Sequence, residues 1–419
     1  MSTIDVRSRF IGDAQPLTRS WLHDGLPDVL RETGRLGARG VDVLELTPLG
    51  FEMDDTVGHL TVDGDRLAVH EGAGDGAVVA LDATAFSELM QDVTSSFGLV
   101  MAGRIDMVHG TADQFIAWEP VLRAVLDERP VYEPGSVAFT ARDGNALDLH
   151  QSFRIDDSRD EVGHFLAQAG FLHFEGVFTD DEMAAVSADL DAAAADAERD
   201  DGASWWARND AGWYPSRILG FNRKSPTLSE LMASDRFRVI GALTEDAMVQ
   251  RAELEDDGAE GLWKKVGVVD GISDVSWHKD CTMGGHSRRC CALTAGISIT
   301  GADAESGELG VVAGSHRANT QGTGLHKGFD LPRIPLPTRT GDVTVHCSCT
   351  HHMSRPPVSR ERRVAYTSFS LAARAGDAAP ESDPEITRRD RHALNEQARN
   401  LQRRDDFGRE HDTFALEAS

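Results

Sequence analysis

The segment GDVTVHCSCTHHMSRPPVSRERR at residues 341–363 and the shorter segment VSWHKD at residues 275–280 carry the most informative spacing in this sequence. The shorter segment places His278 two residues before Asp280, so on a β-strand both side chains would point to one face. A single pair of this kind is weak evidence, because short motifs often arise by chance. The longer segment adds His352, eleven residues after the glycine that opens a predicted strand. Together the two segments predict one metal site built from distant parts of the chain.

The residue types at these positions suit iron. Two histidines and one carboxylate can occupy one face of an octahedral iron ion and leave three positions open, which suits a bidentate 2-oxo acid together with dioxygen. Arg363 lies eleven residues beyond His352, and its planar guanidinium can pair with a carboxylate through two hydrogen bonds. A guanidinium at this position could therefore pair with the far carboxylate of a 2-oxo acid such as 2-oxoglutarate.

Other histidines compete with His352 for the role of distal ligand. His351 is adjacent and would face the opposite side of the same strand, whereas His346 would share the face of His352 nearer the strand start. His286 and His316 lie in or beside loops, which favours surface positions. The spacing favours His352 and makes His346 a wall of the pocket or a core histidine.

The cysteines offer a competing metal site. They are Cys281, Cys290, Cys291, Cys347 and Cys349. Adjacent cysteines on a strand point to opposite faces, and a Cys-x-Cys pair is shorter than the usual zinc-binding spacing, so small buried thiols are favoured over structural zinc. Because none lies in the first 280 residues, a disulfide framework is not indicated, and we expect a reducing, cytoplasmic location.

Length and charge restrict the protein class. A chain of 419 residues is long enough for two domains, and its formal charge of -27 disfavours nucleic acid as a partner. No run of eighteen apolar residues predicts a membrane span, and the first residues contain no apolar signal core. Basic residues near the iron motif, which could meet an anionic ligand or form ordinary surface ion pairs, are Arg223, Lys224, Lys264 and Lys265.

The C-terminal half has the pattern of a jelly roll with flanking helices. Residues 160–198 predict helix, short strand and helix, with Thr179 and Glu182 spaced as a capping box. Short strands separated by Gly-rich and polar connections follow from 262 to 372. Four aromatic residues crowd into the stretch between them and fit either the core or a lid over a substrate; they are Trp205, Trp206, Trp213 and Tyr214.

This half resembles the phytanoyl-CoA dioxygenase family. The motifs that carry the resemblance are GFLHFEGVFTDDEM, SPTLSELMASDRF, WHKD, CCALTAGISITGADAESGELGVVAGSH and GDVTVHCSCTHHMS, in the family's order. The resemblance implies a double-stranded β-helix and Fe(II), 2-oxoglutarate and O2 as cofactor and co-substrates, with ascorbate as the reductant in vitro. It also implies the iron ligands His278, Asp280 and His352, an Arg363 salt bridge to 2-oxoglutarate, and a supporting hydroxyl from Ser354.

The sequence departs from the family's pattern at several pocket positions. Leu293 stands where an aromatic residue often lines the 2-oxoglutarate pocket, and Ala313 replaces a proline. No predicted ligand is lost, so the departures concern the shape of the pocket and the substrate.

The N-terminal residues predict an α+β module. Short apolar runs alternate with turn signals from residue 40 onward, beginning with VDVLEL at 41–46, and Asp63-Gly64 between alternating strands predicts a hairpin. The segments LTVDGDRLAVHEG, AVVALDATAFSELM and FGLVMAGRIDMVHG resemble the sterol carrier protein fold, which implies an apolar tunnel. An accessory or dimerisation module is the open alternative, because a fold does not fix a function.

The expected organisation is therefore a sterol-carrier-like domain at 1–135, a linker at 136–150, an oxygenase domain at 151–375 and a charged helical tail at 376–419. The first functional hypothesis is an oxygenase that hydroxylates, desaturates or cyclises a small organic, apolar or acyl-type metabolite and releases succinate and CO2. The second is a lipid or acyl carrier whose oxygenase half has lost catalysis. Halogenation is disfavoured, because Asp280 fills the position that a chloride ligand would need. The sequence leaves the oligomeric state open.

Overall fold

The computed structural model describes residues 15–371, except for 200, 245–246, 251–257, 272–274, 283–291 and 326–328. The chain divides into two compact units. Unit 1 consists of Met1–Ala138, His278–Cys290 and Ser315–Leu331, and unit 2 consists of Phe139–Trp277, Cys291–Gly314 and Pro332–Ser419. The tail predicted at 376–419 lies outside the described residues. No helix of the described ranges is long and apolar enough to cross a membrane.

Unit 1 contains a mixed five-stranded sheet with the order β3-β2-β1-β4-β5. Its strands are β1 (Leu49–Met53), β2 (Thr56–Asp63), β3 (Arg66–Glu71), β4 (Ala77–Leu81) and β5 (Ile105–His109). Its helices are α1 (Trp21–Asp24), α2 (Leu26–Val43), α3 (Ala83–Met90), α4 (Ser96–Met101), α5 (Ala112–Ala117) and α6 (Glu119–Leu126). This arrangement is the α+β module that the sequence predicts, while the sterol-carrier resemblance stays a prediction.

The hairpin between β2 and β3 shows how local sequence shapes this sheet. Asp63 pairs with Arg66, so the turn residues are Gly64 and Asp65, one position later than the Asp63-Gly64 turn that the sequence suggests. Gly64 has a φ of 64°, a conformation that glycine adopts without strain. The hairpin itself is confirmed.

Helix α2 packs closely on the sheet through glycine. A Cβ atom added at Gly37 would lie 2.7 Å from Val125 Cγ1 of α6 and 2.8 Å from Leu67 Cδ2 of β3, so a larger residue would force these side chains to shift. Because α2 continues to Val43, the first half of the apolar run 41–46 is helical and not part of a strand.

Unit 2 begins with helices around a short strand. Its helices are α7 (Arg159–Ala169), α8 (Asp180–Ala195), α9 (Phe221–Lys224), α10 (Pro226–Ala233) and α11 (Asp235–Arg238), followed by a 3-10 helix at Val239–Leu243. The predicted capping box is confirmed, because Thr179 Oγ1 accepts from the Glu182 backbone while the Glu182 carboxylate accepts from the Thr179 backbone.

The strands of the C-terminal half form two antiparallel sheets. They are β6 (Phe171–Phe174), β7 (Ser204–Asn209), β8 (Gly212–Ile218), β9 (Val249–Gln250), β10 (Ala259–Lys264), β11 (Asp270–Gly271), β12 (Val275–His278), β13 (Ala292–Ser298), β14 (Leu309–Val312), β15 (Arg333–Leu336), β16 (Val343–Cys347), β17 (His352–Ser354) and β18 (Arg362–Ser370). The large sheet has the order β11-β7-β8-β10-β18-β13-β16-β6, with β9 on β18, and the small sheet has the order β12-β17-β14-β15. The predicted jelly roll with flanking helices is confirmed.

The large sheet has two chemically different faces. Directly paired residues of antiparallel strands project to the same side, so the register traces each face across the sheet. One face, here called the inner face, runs through paired residues from β16 to β7: His346, Thr294, Ser368, Tyr366, Arg362, Lys264, Glu260, Leu262, Arg217 and Trp205. The opposite face, here called the helix face, carries Leu293 and Phe369, and the Phe369 ring lies 5.4 Å from that of Phe237 in α11.

Candidate metal centre

Three predicted ligands come together. One ligand atom each from His278, Asp280 and His352 lies within 4.8 Å of the others. Strand β12 ends at His278, and Asp280 opens a 3-10 turn at Asp280–Thr282. The expectation that both residues lie on one strand was therefore wrong for Asp280, whose carboxylate Oδ1 reaches 3.4 Å from His278 Nε2 from the turn instead.

The ring of His352 is fixed from behind. Its Nδ1 lies 3.0 Å from the carbonyl oxygen of Thr350, and donation to that oxygen leaves Nε2 of the neutral ring as an electron-pair donor. His352 is 7% exposed, so the imidazole is shielded from water. The His346 ring lies 4.1 Å from that of His352, which places His346 beside the predicted ligand, as expected for a pocket wall.

The rival metal ligands take other positions. The backbone carbonyl of the buried His351 accepts a hydrogen bond from Val312, and the His351 side chain does not join the group of ligand atoms. Cys281, Cys347 and Cys349 are buried, and none of them forms a disulfide within the described residues. Cys290, Cys291 and His286 lie outside the described residues. Within the described ranges, the cluster that could hold a metal is the one formed by the two histidines and the aspartate.

Two cations lie side by side on the inner face. Lys264 and Arg362 are paired across β10 and β18, and they are 2% and 3% exposed. Lys264 Nζ donates to Ser354 Oγ at 2.8 Å and to the Arg355 carbonyl at 2.9 Å. Ser354 lies two residues after His352 on β17, so alternation places both side chains on one side of that strand. The predicted hydroxyl is therefore linked to a buried ammonium group.

Arg362 is oriented by neutral partners. Its Nη1 donates to the Gly307 carbonyl at 2.6 Å, and its Nη2 donates to the Tyr366 hydroxyl at 2.9 Å. Sequence reasoning missed this arginine. The signal that identifies it is the alternation of side chains along β18, which requires the strand's register.

The structure does not bring Arg363 or Leu293 to the triad. Arg363 donates to Ser187 Oγ at 2.8 Å and pairs with Asp191 at 2.9 Å, both on α8. Its guanidinium also stacks 4.1 Å from the centre of the Trp263 ring. Leu293 is fully buried on the helix face. Arg363 therefore contacts α8, and both residues lie on the helix face, opposite to His346 and Arg362.

The crowded aromatic residues lie on the hairpin of β7 and β8. Trp205 is on the inner face, where the Arg217 guanidinium stacks 4.3 Å from its ring centre. Arg217 also pairs with Glu260 at 2.9 Å. Trp213 is 38% exposed, whereas Tyr214 is buried. Part of the cluster is thus core and part reaches solvent.

The donor set itself fits ferrous iron. Two imidazoles and one carboxylate with open positions are the ligands of non-haem Fe(II) oxygenases, whereas structural zinc favours closed sets rich in thiolate. The segment that contains all three ligands matches the family model for phytanoyl-CoA dioxygenase. Residues 166–365 form a phytanoyl-CoA dioxygenase domain. This confirms the family predicted from the sequence and its class, an Fe(II)- and 2-oxoglutarate-dependent oxygenase, and the alternative of a non-catalytic carrier finds no support.

Solved structures similar to this dioxygenase domain include two enzymes of nogalamycin biosynthesis. The non-haem, α-ketoglutarate-dependent epimerase SnoN is 20% identical over 54% of this chain and 90% of its own, with a TM-score of 0.40. The carbocyclase SnoK is 19% identical over 57% of this chain and 93% of its own, with a TM-score of 0.40. EctD from S. alaskensis, solved with 2-oxoglutarate and 5-hydroxyectoine, is 17% identical over 60% of this chain and 96% of its own, with a TM-score of 0.41. The comparison with curated proteins gave no match.

Proposed function

We propose that His278, Asp280 and His352 hold the iron of this dioxygenase domain and that the enzyme oxidises a small organic molecule. The observation that carries the proposal is the convergence of their ligand atoms within 4.8 Å. Bound iron with 2-oxoglutarate would supply the oxidation of an unactivated carbon by dioxygen, with succinate and CO2 as co-products. The role of the surrounding residues is to orient the ligands, bind the co-substrate and exclude water.

The co-substrate anchor is best placed on Arg362, with Lys264 beside it. Both cations are buried on the inner face, and Lys264 is bonded to Ser354, two residues from His352. A dicarboxylate that chelates iron through one end needs a fixed positive charge for the other, and an arginine fork provides two parallel donors. Arg363, the candidate from the sequence, is bound to α8 instead.

The inner face suits a polar substrate better than a lipid-like one. The inner face carries Glu260, Arg217 and Trp205 beyond Lys264. Arg217 and Glu260 form a partly exposed ion pair, with side chains 23% and 32% exposed, over an aromatic ring. Charged groups beside an aromatic surface recognise polar ligands with a flat or apolar part. A substrate screen that measures coupled succinate release should thus give turnover with polar compounds. Turnover of acyl chains alone would instead support the apolar substrate predicted from the sequence.

The cytoplasmic location stays a prediction.

The triad is tested by single substitutions in the full chain. His278→Ala, Asp280→Ala and His352→Ala should each lower iron content and abolish 2-oxoglutarate-dependent succinate release while leaving the fold intact. His351→Gln is the matched control, because it changes the neighbouring histidine without removing a ligand atom. Normal iron loading and succinate release in any of the three alanine variants would exclude that residue as a ligand.

A further inference from the structure

A loop of the C-terminal half is part of unit 1. This bridging loop, defined here as residues 315–325, falls within the same compact unit as the N-terminal residues. Asn319 is 7% exposed, and its Nδ2 donates to the Pro120 and Arg129 carbonyls at 2.8 Å each. The Asn319 backbone carbonyl accepts from Tyr132 N at 3.1 Å. A side-chain amide offers two donors from one nitrogen, which neither leucine nor aspartate can do. Asn319 thus ties the bridging loop to the first turn of α6 and to the segment that follows α6.

A second anchor lies just beyond the loop. The Tyr132 hydroxyl donates to the Asp330 carboxylate, and Gly135 N donates to Asp330 Oδ2 at 3.1 Å. Burial and the Asp330 carboxylate hold the pKa of Tyr132 above its usual range, so the phenol remains a donor. The Phe329 ring packs edge-on against Tyr132 with centroids 5.0 Å apart. The N-terminal residues therefore form hydrogen bonds with residues 319 and 330, in and just beyond the bridging loop.

The other side of the bridging loop holds the first metal-ligand segment. Lys279 N donates to the Gly322 carbonyl at 2.9 Å, and His278 forms a β-bridge with Thr323. Lys279 is 2% exposed, and its Nζ lies 3.5 Å from the Ala318 carbonyl, next to Asn319. The two residues directly before Asp280, His278 and Lys279, are thus paired through their backbone with the bridging loop.

We propose that Asn319 is a positioning residue of the metal centre and that the N-terminal residues act, through the bridging loop, as part of its support. This rests on the proposed function, because it takes His278 and Asp280 as iron ligands. Residues that are not ligands can still fix the orientation of the ligands. Mutating such residues commonly lowers metal affinity by about 10- to 100-fold. The N-terminal half would then serve the oxygenase directly, whether or not it also binds an apolar ligand.

The test uses the full-length, metal-free chain with Co(II) as the probe. Asn319→Leu keeps the approximate size and removes both donors, and it should weaken Co(II) binding about tenfold or more and alter the Co(II) absorption spectrum. Asn319→Asp should be more damaging, because a carboxylate would face two carbonyl oxygens. Without metal, hydrogen exchange at the Lys279 amide should accelerate in both variants. Tyr132→Phe removes the hydroxyl of the second anchor and provides a milder variant if Asn319→Leu does not fold.

Two controls separate the possible outcomes. Leu60→Ala weakens the fully buried core of the N-terminal sheet and should leave Co(II) affinity unchanged below its own melting temperature. His352→Ala tests the triad alone: normal Co(II) binding there would refute the proposed metal centre, not only the support by Asn319. Loss of binding in His352→Ala, together with wild-type Co(II) affinity and Lys279 exchange in the Asn319 and Tyr132 variants, would overturn the inference while leaving the proposed function intact.

Discussion

At the residue scale, strand alternation gives the adjacent side chains of Arg362 and Arg363 different surroundings. Arg362 faces the side of β18 that carries Lys264, and Arg363 faces α8. Arg362→Ala should raise the apparent KM for 2-oxoglutarate at least about 30-fold, since losing the partner of a buried carboxylate costs on the order of 2 to 5 kcal/mol. Arg363→Ala should change this KM little, because the Arg363 guanidinium contacts Ser187 and Asp191 of α8 and lies on the opposite face of the sheet.

The apparent KM of both variants is measured by titrating 2-oxoglutarate and following succinate release. Arg362→Lys should restore only part of the affinity for 2-oxoglutarate. If KM for 2-oxoglutarate rose in Arg363→Ala and stayed unchanged in Arg362→Ala, the anchor would be Arg363, as the sequence predicted. The spacing that indicated Arg363 counts residues across the segment 355–361 between β17 and β18. Strand alternation is not preserved through a connection of this kind, so the face of each arginine could not be predicted from the sequence. That His278, Asp280 and His352 lie together could be predicted, because two histidines and a carboxylate suit one kind of metal site.

At the element scale, Asp342 fastens the start of β16 to the end of β6. Its carboxylate accepts from His173 Nε2 at 2.9 Å and from the backbone of Gly176 and Arg339 at 2.8 Å each. Burial alone would raise the pKa of Asp342, but these hydrogen bonds lower it overall. A lowered folded-state pKa contributes stability above the unfolded pKa of about 4, and this stability is lost as the pH falls through the folded value.

Asp342→Asn should therefore lower the free energy of unfolding by about 2 kcal/mol at neutral pH, since an amide cannot accept from all three donors. The difference from wild type should begin to shrink below about pH 4, where Asp342 of the unfolded chain takes up a proton, and should be lost as the pH falls through the lowered folded-state pKa. Urea unfolding at several pH values measures this difference in the free energy of unfolding. Asp65→Asn is an exposed control, and it should alter the free energy of unfolding little. An equal loss at pH 3 and pH 7 would show that charge is not the cause.

Other elements differ in how visible they are in the sequence. The β2–β3 hairpin and the capping box at Thr179 follow from local residue preferences, and both are present. Helix α2 was not predicted, because it contains Gly34, Gly37 and Gly40, and glycine disfavours an isolated helix. In the folded protein, the same glycines allow the close packing that stabilises the helix. Tertiary contacts therefore override the local preference.

At the scale of the whole molecule, the linear order of the sequence does not describe the compact units. The sequence suggests one boundary near 136–150, and these limits stay a prediction. The contacts nevertheless place 278–290 and 315–331 with the N-terminal residues. This grouping depends on pairs such as Asn319 with Pro120, far apart in sequence, and no local pattern near either residue indicates it.

The stability of unit 1 depends on a buried charge cluster around Arg123. This arginine is fully buried and pairs with Glu119, Asp127 and Asp92 at 3.3, 3.1 and 3.8 Å. Burial, together with the nearby Asp92, raises the pKa of Glu119 although Arg123 opposes the shift. A raised folded-state pKa means that the stability linked to the neutral acid is present at low pH and is lost as the pH rises through the folded value.

Arg123→Met should destabilise the protein by about 3 to 5 kcal/mol at pH 7, because it leaves buried carboxylates without their cation. The penalty should be smaller at pH 5, where Glu119 takes up a proton more readily than an ordinary glutamate. Arg39→Met makes the same substitution at an exposed pair with Glu133 and should destabilise the protein far less. Urea unfolding of both variants at the two pH values gives the comparison. If Arg123→Met were no more destabilising than Arg39→Met, or its penalty grew on acidification, the cluster would not act as a balanced set of buried charges.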